Sequence, residues 1–569
     1  MQRTFICHRV RETESLDGFW DFATLPGGRA LDRVVRRVPV PAAWETLPGL
    51  ESYRGRARYR RSVRARPGLA LRFVFGGASH TATARLDGRR IGGHYDAFTA
   101  WTALATAAPG EHEVTVDVDN SFGERSALHL PNDYMTYGGL TRPVELHHVP
   151  EVFIERLDAT PRRDGGRWRL ETAVVLRNRS GRARSRRLAV SVAGRTIEAR
   201  ATVPGRGSRV VRGAVRGLDV QPWSARTPRL YEVSAVLSDG AAAVDDLIDR
   251  VGFREIAVRG RGLRLNGRPL RLRGYNRHED HGQFGCALPL EAMVRDLEIL
   301  RDLGCNFVRT SHYPNDPRFL DLCDEMGFYV CEESHARQVR FDHPRFREQI
   351  ETSTREMIEQ HRNHPCIVIW GCLNECETRT AAGRAEHARV IRQIRRLDGR
   401  RPVTYASMYH ERDTAFGLAD IVSVNIYTGW YHDPPDRIAP RLRAFLRWLH
   451  SPRSRGGRGK PVILSEFGGA GLYGCRHPAR MRWTEEYQSD LLDEALRVYL
   501  NHPDVGGAAI WQFADCRITK EGGYWSTRPR GYNNKGSVDE FRRRKLACET
   551  VRRRMLEARR KWEGGDTAA

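Results

Sequence analysis

Apolar and polar positions alternate with a period of two through the first 150 residues. Val114, Val116 and Val118 are separated by polar neighbours, and Thr81–Leu86 runs into the turn pair Asp87-Gly88. Side chains of a strand point alternately to its two faces, so this pattern predicts strands with one buried side. Turn signals recurring every ~8–12 residues suit a jelly roll or sandwich. Residues 151–255 continue in the same manner. Strands are expected there over Trp168–Leu176, Leu188–Val192 and Tyr231–Leu237, enough for a small immunoglobulin-like sandwich.

From residue 256 to 569 the pattern changes. Short apolar runs alternate with helical periodicity, which implies parallel strands joined by crossover helices. The runs are Leu270–Asn276, Cys305–His312, Phe328–Glu333, Cys366–Glu375, Pro402–Ser407, Ile421–Tyr427, Val462–Phe467 and Ala508–Asp515. Between the first two, Met293, Val294, Leu297 and Leu300 form one helical face, which Gly304 ends. Eight strands predict a (β/α)8 barrel. A doubly wound sheet is the alternative, but six strands would be its more usual number.

Composition narrows the function classes. A chain of 569 residues exceeds what one hydrophobic core serves, so several domains are expected. It holds no run of ~20 apolar residues to span a membrane. The stretch Met1–Trp20 lacks the apolar segment of a secretory signal, which makes a cytoplasmic protein the expectation. The net charge of +24 raises nucleic acid as a partner. Lys460, Lys520, Lys535, Lys545 and Lys561 are the five lysines, leaving 89 arginines, most of them scattered singly among polar residues. Without an RNA-binding, zinc-finger or helix-turn-helix pattern, the charge predicts no nucleic-acid function. The eleven cysteines form no CxxC pairs, so free thiols are expected rather than disulfides or a metal site.

Barrel enzymes carry their chemistry at the C-terminal ends of the strands. Those ends read Asn276 to Glu279, Arg309 to His312, Glu332-Glu333, Asn374-Glu375, Asn425 with Tyr427, Glu466, and Trp511 with Asp515. Glu332 and Glu333 suit support within the barrel. Glu375 and Glu466 close the fourth and seventh runs, on opposite sides of an eight-stranded barrel. Two carboxyls facing across its mouth suit glycoside hydrolysis, in which one protonates the leaving oxygen and the other attacks the anomeric carbon.

With these residues in view, the chain resembles glycoside hydrolase family 2. The resemblance runs through Leu16 to Phe22, Val38 to Trp44, Tyr53-Arg54-Gly55 and Gly76 to His80. It continues through Gly274 to Glu279, Val308 to Pro314, Arg362 to Pro365, Trp370 to Glu375 and Ser465 to Gly468. It implies a jelly-roll domain (1–150), an immunoglobulin-like domain (151–255) and a catalytic TIM barrel (256–569), with retaining hydrolysis of β-glycosides. It also implies Glu375 as general acid/base, Glu466 as nucleophile, Asn374 on the sugar 2-hydroxyl and Tyr427 on the nucleophile. Trp511 offers a stacking or hydroxyl-contact surface, and His312 joins the substrate-binding set. Burial and mutual repulsion of the carboxyls would let the acid keep its proton near neutrality. Cys376 departs from the family, whose members usually carry proline there; it alters loop stiffness more than chemistry.

The loop Gly531 to Gly536 resembles the Asn-x-Lys-Gly motif of the family's glucuronidases, which implies that Asn533 and Lys535 bind a sugar carboxylate. A lysine in so arginine-rich a chain, on a loop at the catalytic face, points the same way, since an ammonium is a compact point charge. Arg528 and Arg530 lie close by in sequence. Asp133, in Asp133 to Gly139, resembles the aspartate that reaches the sugar from the first domain. The expected substrate is a β-glucuronide, then a β-galacturonide, then a β-galactoside; a catalytically silent carbohydrate-binding protein is the non-enzyme alternative. No cofactor and no metal are expected. The partner is a small or oligosaccharide glycoside, with no nucleic acid and no membrane, and family members commonly form homo-oligomers. The stretch between Glu333 and Arg362 is short, which predicts an open cleft, and Val538–Trp562 is expected to be the last barrel helix.

Overall fold

The computed structural model describes residues 2–25 and 36–563. In the first part, a four-stranded sheet of Glu12–Ser15, Val144–Val149, Ala70–Phe75 and Trp101–Ala105 faces a six-stranded one. Trp20, Trp44, Tyr59, Phe73 and Phe75 fill the space between them. Val114, Val116 and Val118 all point inward, as their alternation predicts. The polar residue Asp117 between them is covered as well, because Arg58 (2.6 Å) and Arg85 (2.7 Å) lie on its carboxylate.

Val152–Asp164, Arg167–Asn178 and Ser208–Leu218 form one sheet of a second sandwich. Arg195–Val203, Arg184–Val192, Tyr231–Asp239 and Ala242–Val251 form the other. Residues 2–11 pack against this sandwich and the barrel, and also touch the first sandwich, where the His8 ring lies 5.2 Å from that of His147. The amide of Ile248 donates to the Cys7 carbonyl (2.7 Å), and Arg3 reaches Asp321 (2.6 Å) on the barrel. Arg11 and Asp245 meet at 2.7 Å, both almost wholly out of water. Each charge would be costly to bury alone, so the pair fixes the path of the leading segment.

The third part is a closed barrel of parallel strands in sequence order: Leu272–Arg277, Phe307–Thr310, Tyr329–Glu333, Ile367–Cys372, Val403–Ser407, Val422–Asn425, Val462–Glu466 and Val505–Ile510. Each lies within or overlaps one of the eight apolar runs. Closure is tight at Gly274, where a β-carbon would stand 1.7 Å from the Phe307 carbonyl oxygen. Helices pack outside, among them Leu290–Asp302, which buries Met293, Leu297 and Leu300 and ends before Gly304 at φ +80°. The last helix, Ala547–Glu563, is shorter than its apolar spacing predicts. Asp539 takes the amides of Phe541 (3.0 Å) and Arg543 (2.8 Å), which turns the chain and leaves Phe541 exposed. Among the described residues no helix is long and apolar enough to cross a membrane.

Arg11→Ala should destabilise the protein by about 3–5 kcal/mol, because it strands Asp245 in the interior. Thermal melting checks this against Arg9→Ala, whose exposed pair with Glu232 should contribute under about 1 kcal/mol.

Candidate active site

Glu466 is the last residue of the seventh barrel strand and is 3% exposed. Arg309, from the second strand, donates to its Oε1 at 2.9 Å, and the Tyr427 hydroxyl donates to its Oε2 at 2.8 Å. The same guanidinium grips Glu333 through two nitrogens (both 3.0 Å), Asn276 Oδ1 (2.7 Å) and Asn374 Oδ1 (2.9 Å). Glu333 also holds His312 Nδ1 at 2.9 Å. His312 Nε2 has no hydrogen-bond partner, lies 3.9 Å from Glu466, and its ring stacks on Trp511 at 4.9 Å. Burial and the nearby guanidinium of Arg309 keep this imidazole neutral.

Glu375 stands three residues beyond the end of its strand, at φ +53°, with Leu373 at φ +50°. Both occupy the left-handed region that residues with a β-carbon seldom adopt, so the loop carries strain at this carboxyl. Asn425 Nδ2 donates to Oε1 and Gln338 Nε2 to Oε2, each at 3.0 Å, and Arg337 lies 3.6 Å from Oε2. Asn425 pairs in register with Glu466 and takes the Ser465 hydroxyl (2.7 Å), so one amide side chain links the two carboxyl-bearing strands. Asn374 Nδ2, fully buried, has no partner.

Burial pushes the Glu466 carboxyl up to about 7, with the charge of Glu375 adding to it and Arg309 and Tyr427 opposing.

A second group of charges adjoins the pair. Asp133, from the first sandwich, lies 3.3 Å from Arg337 and 3.3 Å from Arg528, and accepts from Asn533 Nδ2 at 3.2 Å. Burial alone would raise its carboxyl, but Arg337, Arg528 and Lys535 outweigh that and hold it well below the usual range. Lys535 is 2% exposed and donates to the Tyr431 hydroxyl at 2.9 Å, with the Tyr431 and Trp430 ring centroids at 5.1 and 5.7 Å. It forms no ion pair among the described residues, and burial pushes its ammonium downward.

The structure therefore gathers Glu375, Glu466, His312, Asn374, Tyr427 and Trp511 into one cluster, and Asp133, Asn533 and Lys535 into an adjoining one. Arg530 stands apart, on Glu540 (2.9 Å), and Asp515 is spent on the buried Lys545 (2.7 Å). Glu332 is likewise structural, on His361 at 2.9 Å. Sequence reading missed Arg337, Gln338 and the contact role of Tyr431. Among 89 arginines, one more in an irregular loop carries no signal. Metal-capable atoms converge at Asp96, His129 and His335, and at Asp324, His364 and Cys366. In the second group Asp324 already holds His364 (2.6 Å) and the Cys366 amide (2.8 Å). In the first, His129 Nε2 accepts the Ala97 amide at 3.3 Å. Neither includes a residue of the carboxyl pair.

Comparison with known proteins agrees with this geometry. Residues 256–524 match the family description "Glycosyl hydrolases family 2, TIM barrel domain", and residues 152–254 match "Glycosyl hydrolases family 2". A β-glucuronidase of Paenibacillus borealis is 26% identical over 96% of this chain and 97% of its own. A β-galacturonidase from Eisenbergiella tayi, solved with galacturonate, is 40% identical with a TM-score of 0.93, over 98% of this chain and 99% of its own. A Bacteroides uniformis β-glucuronidase, solved covalently bound to cyclophellitol-6-carboxylate aziridine, is 25% identical with a TM-score of 0.84, over 95% of this chain and 69% of its own.

Arg309→Met should leave Glu333 and Glu466 buried without their cation, at a cost of about 3–5 kcal/mol. Burial already raises both carboxyls, and losing Arg309 raises them further. A raised carboxyl weakens the fold as pH climbs from its unfolded value toward its folded one, so the deficit should grow between about pH 4.5 and 8. Melting curves across that range check it; a deficit independent of pH contradicts it.

Proposed function

Because the chain belongs to glycoside hydrolase family 2 and is a glycoside hydrolase, we propose that it is an exo-acting, retaining β-uronidase. The observation that carries the uronide is Lys535, a buried ammonium that makes no direct ion pair among the described residues, beside Asn533 and Arg528. Asp133 acts on it only at longer range and is already shared by Arg337 and Arg528, so positive charge is in excess here and a sugar carboxylate would balance it. The hexuronate 6-carboxylate sets these sugars apart from neutral hexoses.

Glu466 attacks the anomeric carbon while Glu375 protonates the leaving oxygen; the glycosyl-enzyme ester is then hydrolysed by water that Glu375 deprotonates. The donors on Glu466, Arg309 and Tyr427, favour the ionised form in which it attacks. Asn374 Nδ2, unpartnered and buried, supports a hydrogen bond to the 2-hydroxyl, which strengthens as the oxocarbenium-like state develops. His312 Nε2 and Trp511 line the same space. Asp133, from another domain, shares Arg337 with Glu375, which supports a site bounded on that side and removal of terminal residues.

β-D-Glucuronides lead from the motifs. β-D-Galacturonides stand beside them on one specific observation, the 40% identity over 98% of the chain to a protein solved with galacturonate. Eight of the eleven free cysteines are buried, which supports a reducing, cytoplasmic setting.

kcat/KM on p-nitrophenyl β-glucuronide, β-galacturonide, β-glucoside and β-galactoside is the direct test. Uronides should exceed their neutral counterparts by about 100-fold or more, and Lys535→Ala should erase most of that margin. A neutral sugar in the lead, or equal losses on both classes, refutes the assignment of Lys535.

The acid limb of kcat/KM should fall near pH 7, since Glu466 must be ionised to attack and its carboxyl sits at about 7. On a dinitrophenyl uronide, whose leaving group needs no acid, Glu375→Gln should move that limb lower by removing a neighbouring charge. An unmoved limb contradicts the coupling.

A further inference from the structure

Glu466 is enclosed, but Glu375 is slightly exposed, and Gln338, which contacts its Oε2, gathers residues from two further loops. Gln338 follows the third strand, Met408 the fifth, and Tyr524 lies in the long connection after the eighth. Gln338 Nε2 donates to Glu375 Oε2 at 3.0 Å, and the Tyr524 hydroxyl donates to Gln338 Oε1 at 3.3 Å. Gln338 Nε2 also lies 3.8 Å from the Met408 sulfur. Both Gln338 and Met408 are exposed, Met408 at 40%. Gln338 sits at φ +51°, so its loop is bent into the left-handed region to bring the amide there.

A general acid must lie within hydrogen-bond reach of the oxygen it protonates. The first unit of the leaving group therefore lies against Gln338, Met408 and Tyr524. These offer a thioether surface, a phenol edge, and an amide N–H whose present second neighbour is sulfur, a weak acceptor. A pyranose ring matches that set, with an apolar C–H face for Met408 and hydroxyls to replace the sulfur at the amide. A flat aromatic group would use the apolar surface and leave the amide without a better partner.

Resting on the uronidase reading, we propose that Gln338, Met408 and Tyr524 form the leaving-group subsite and that its ligand is a sugar ring. The enzyme then removes terminal uronosyl residues from oligosaccharides. Attack by Glu466 breaks the glycosidic bond, the Glu375 proton goes to the departing sugar hydroxyl, and water completes hydrolysis.

The test compares the full-length protein with Gln338→Leu and Met408→Ala on methyl β-uronide, phenyl β-uronide and a uronyl disaccharide. Taking each variant against wild type on the same substrate cancels differences in leaving-group reactivity. Both variants should lower kcat/KM for the disaccharide about tenfold more than for the methyl uronide, with Met408→Ala acting mainly on KM. Equal factors on all three substrates overturn the subsite, and so does a loss greatest on the phenyl uronide. A wild type that cleaves methyl glucoside or galactoside in place of the uronides overturns the uronide reading alone. The same three-way comparison on that sugar then still decides the subsite.

Discussion

The buried guanidinium of Arg309 is the interaction on which the rest of this site depends. Its planar fork reaches Glu333, Asn276, Asn374 and Glu466 from one strand near the barrel axis. Arginine suits this position because its donors are fixed in one plane and its charge persists when buried. Around it the neighbours fall into place. Glu333 orients His312, His312 stacks on Trp511, and Asn374 is turned so that its oxygen meets Arg309 and its amide nitrogen is left without a partner. The cost of burying two carboxylates is thereby offset by a cation that also sets their geometry.

The two carboxyls are treated differently by their surroundings. Glu466 ends a strand, is enclosed, and receives a guanidinium and a phenol. Glu375 sits on a strained loop, only slightly exposed, between two side-chain amides and near Arg337. One environment suits an attacking carboxylate and the other a group that exchanges protons with solvent-borne partners. Asn425 bridges them, its strand paired in register with that of Glu466 and its side-chain amide donating to Glu375.

Beside this pair, three parts of the chain share one set of charges. Asp133 comes from the first sandwich, Arg337 from the loop after the third strand, and Arg528, Asn533 and Lys535 from the connection after the eighth. The first sandwich is therefore part of the site's wall and not an appendage. The leading residues 2–11 tie the domains together elsewhere, through Arg3 on the barrel and Arg11 in the second sandwich.

Much of this was legible in the sequence. Periodicity of two located both sandwiches, and apolar runs located all eight barrel strands, because burial on both faces imposes continuous hydrophobicity there. Glu375, Glu466 and Lys535 were found because each breaks the local grammar: a carboxylate after an apolar run, a lysine among arginines. Other features required tertiary structure. Nothing local distinguishes Arg337 or Gln338 from neighbouring loop residues, since their roles arise from contacts across 37 positions to Glu375 and about 200 to the first sandwich. The span of the last helix was misjudged because one side chain, Asp539, captures backbone amides that spacing alone assigns to a helix. The sequence by itself determined which segments must be buried and which residues bring charge. Only the folded chain decided which charges meet, because that depends on distances between residues far apart along it.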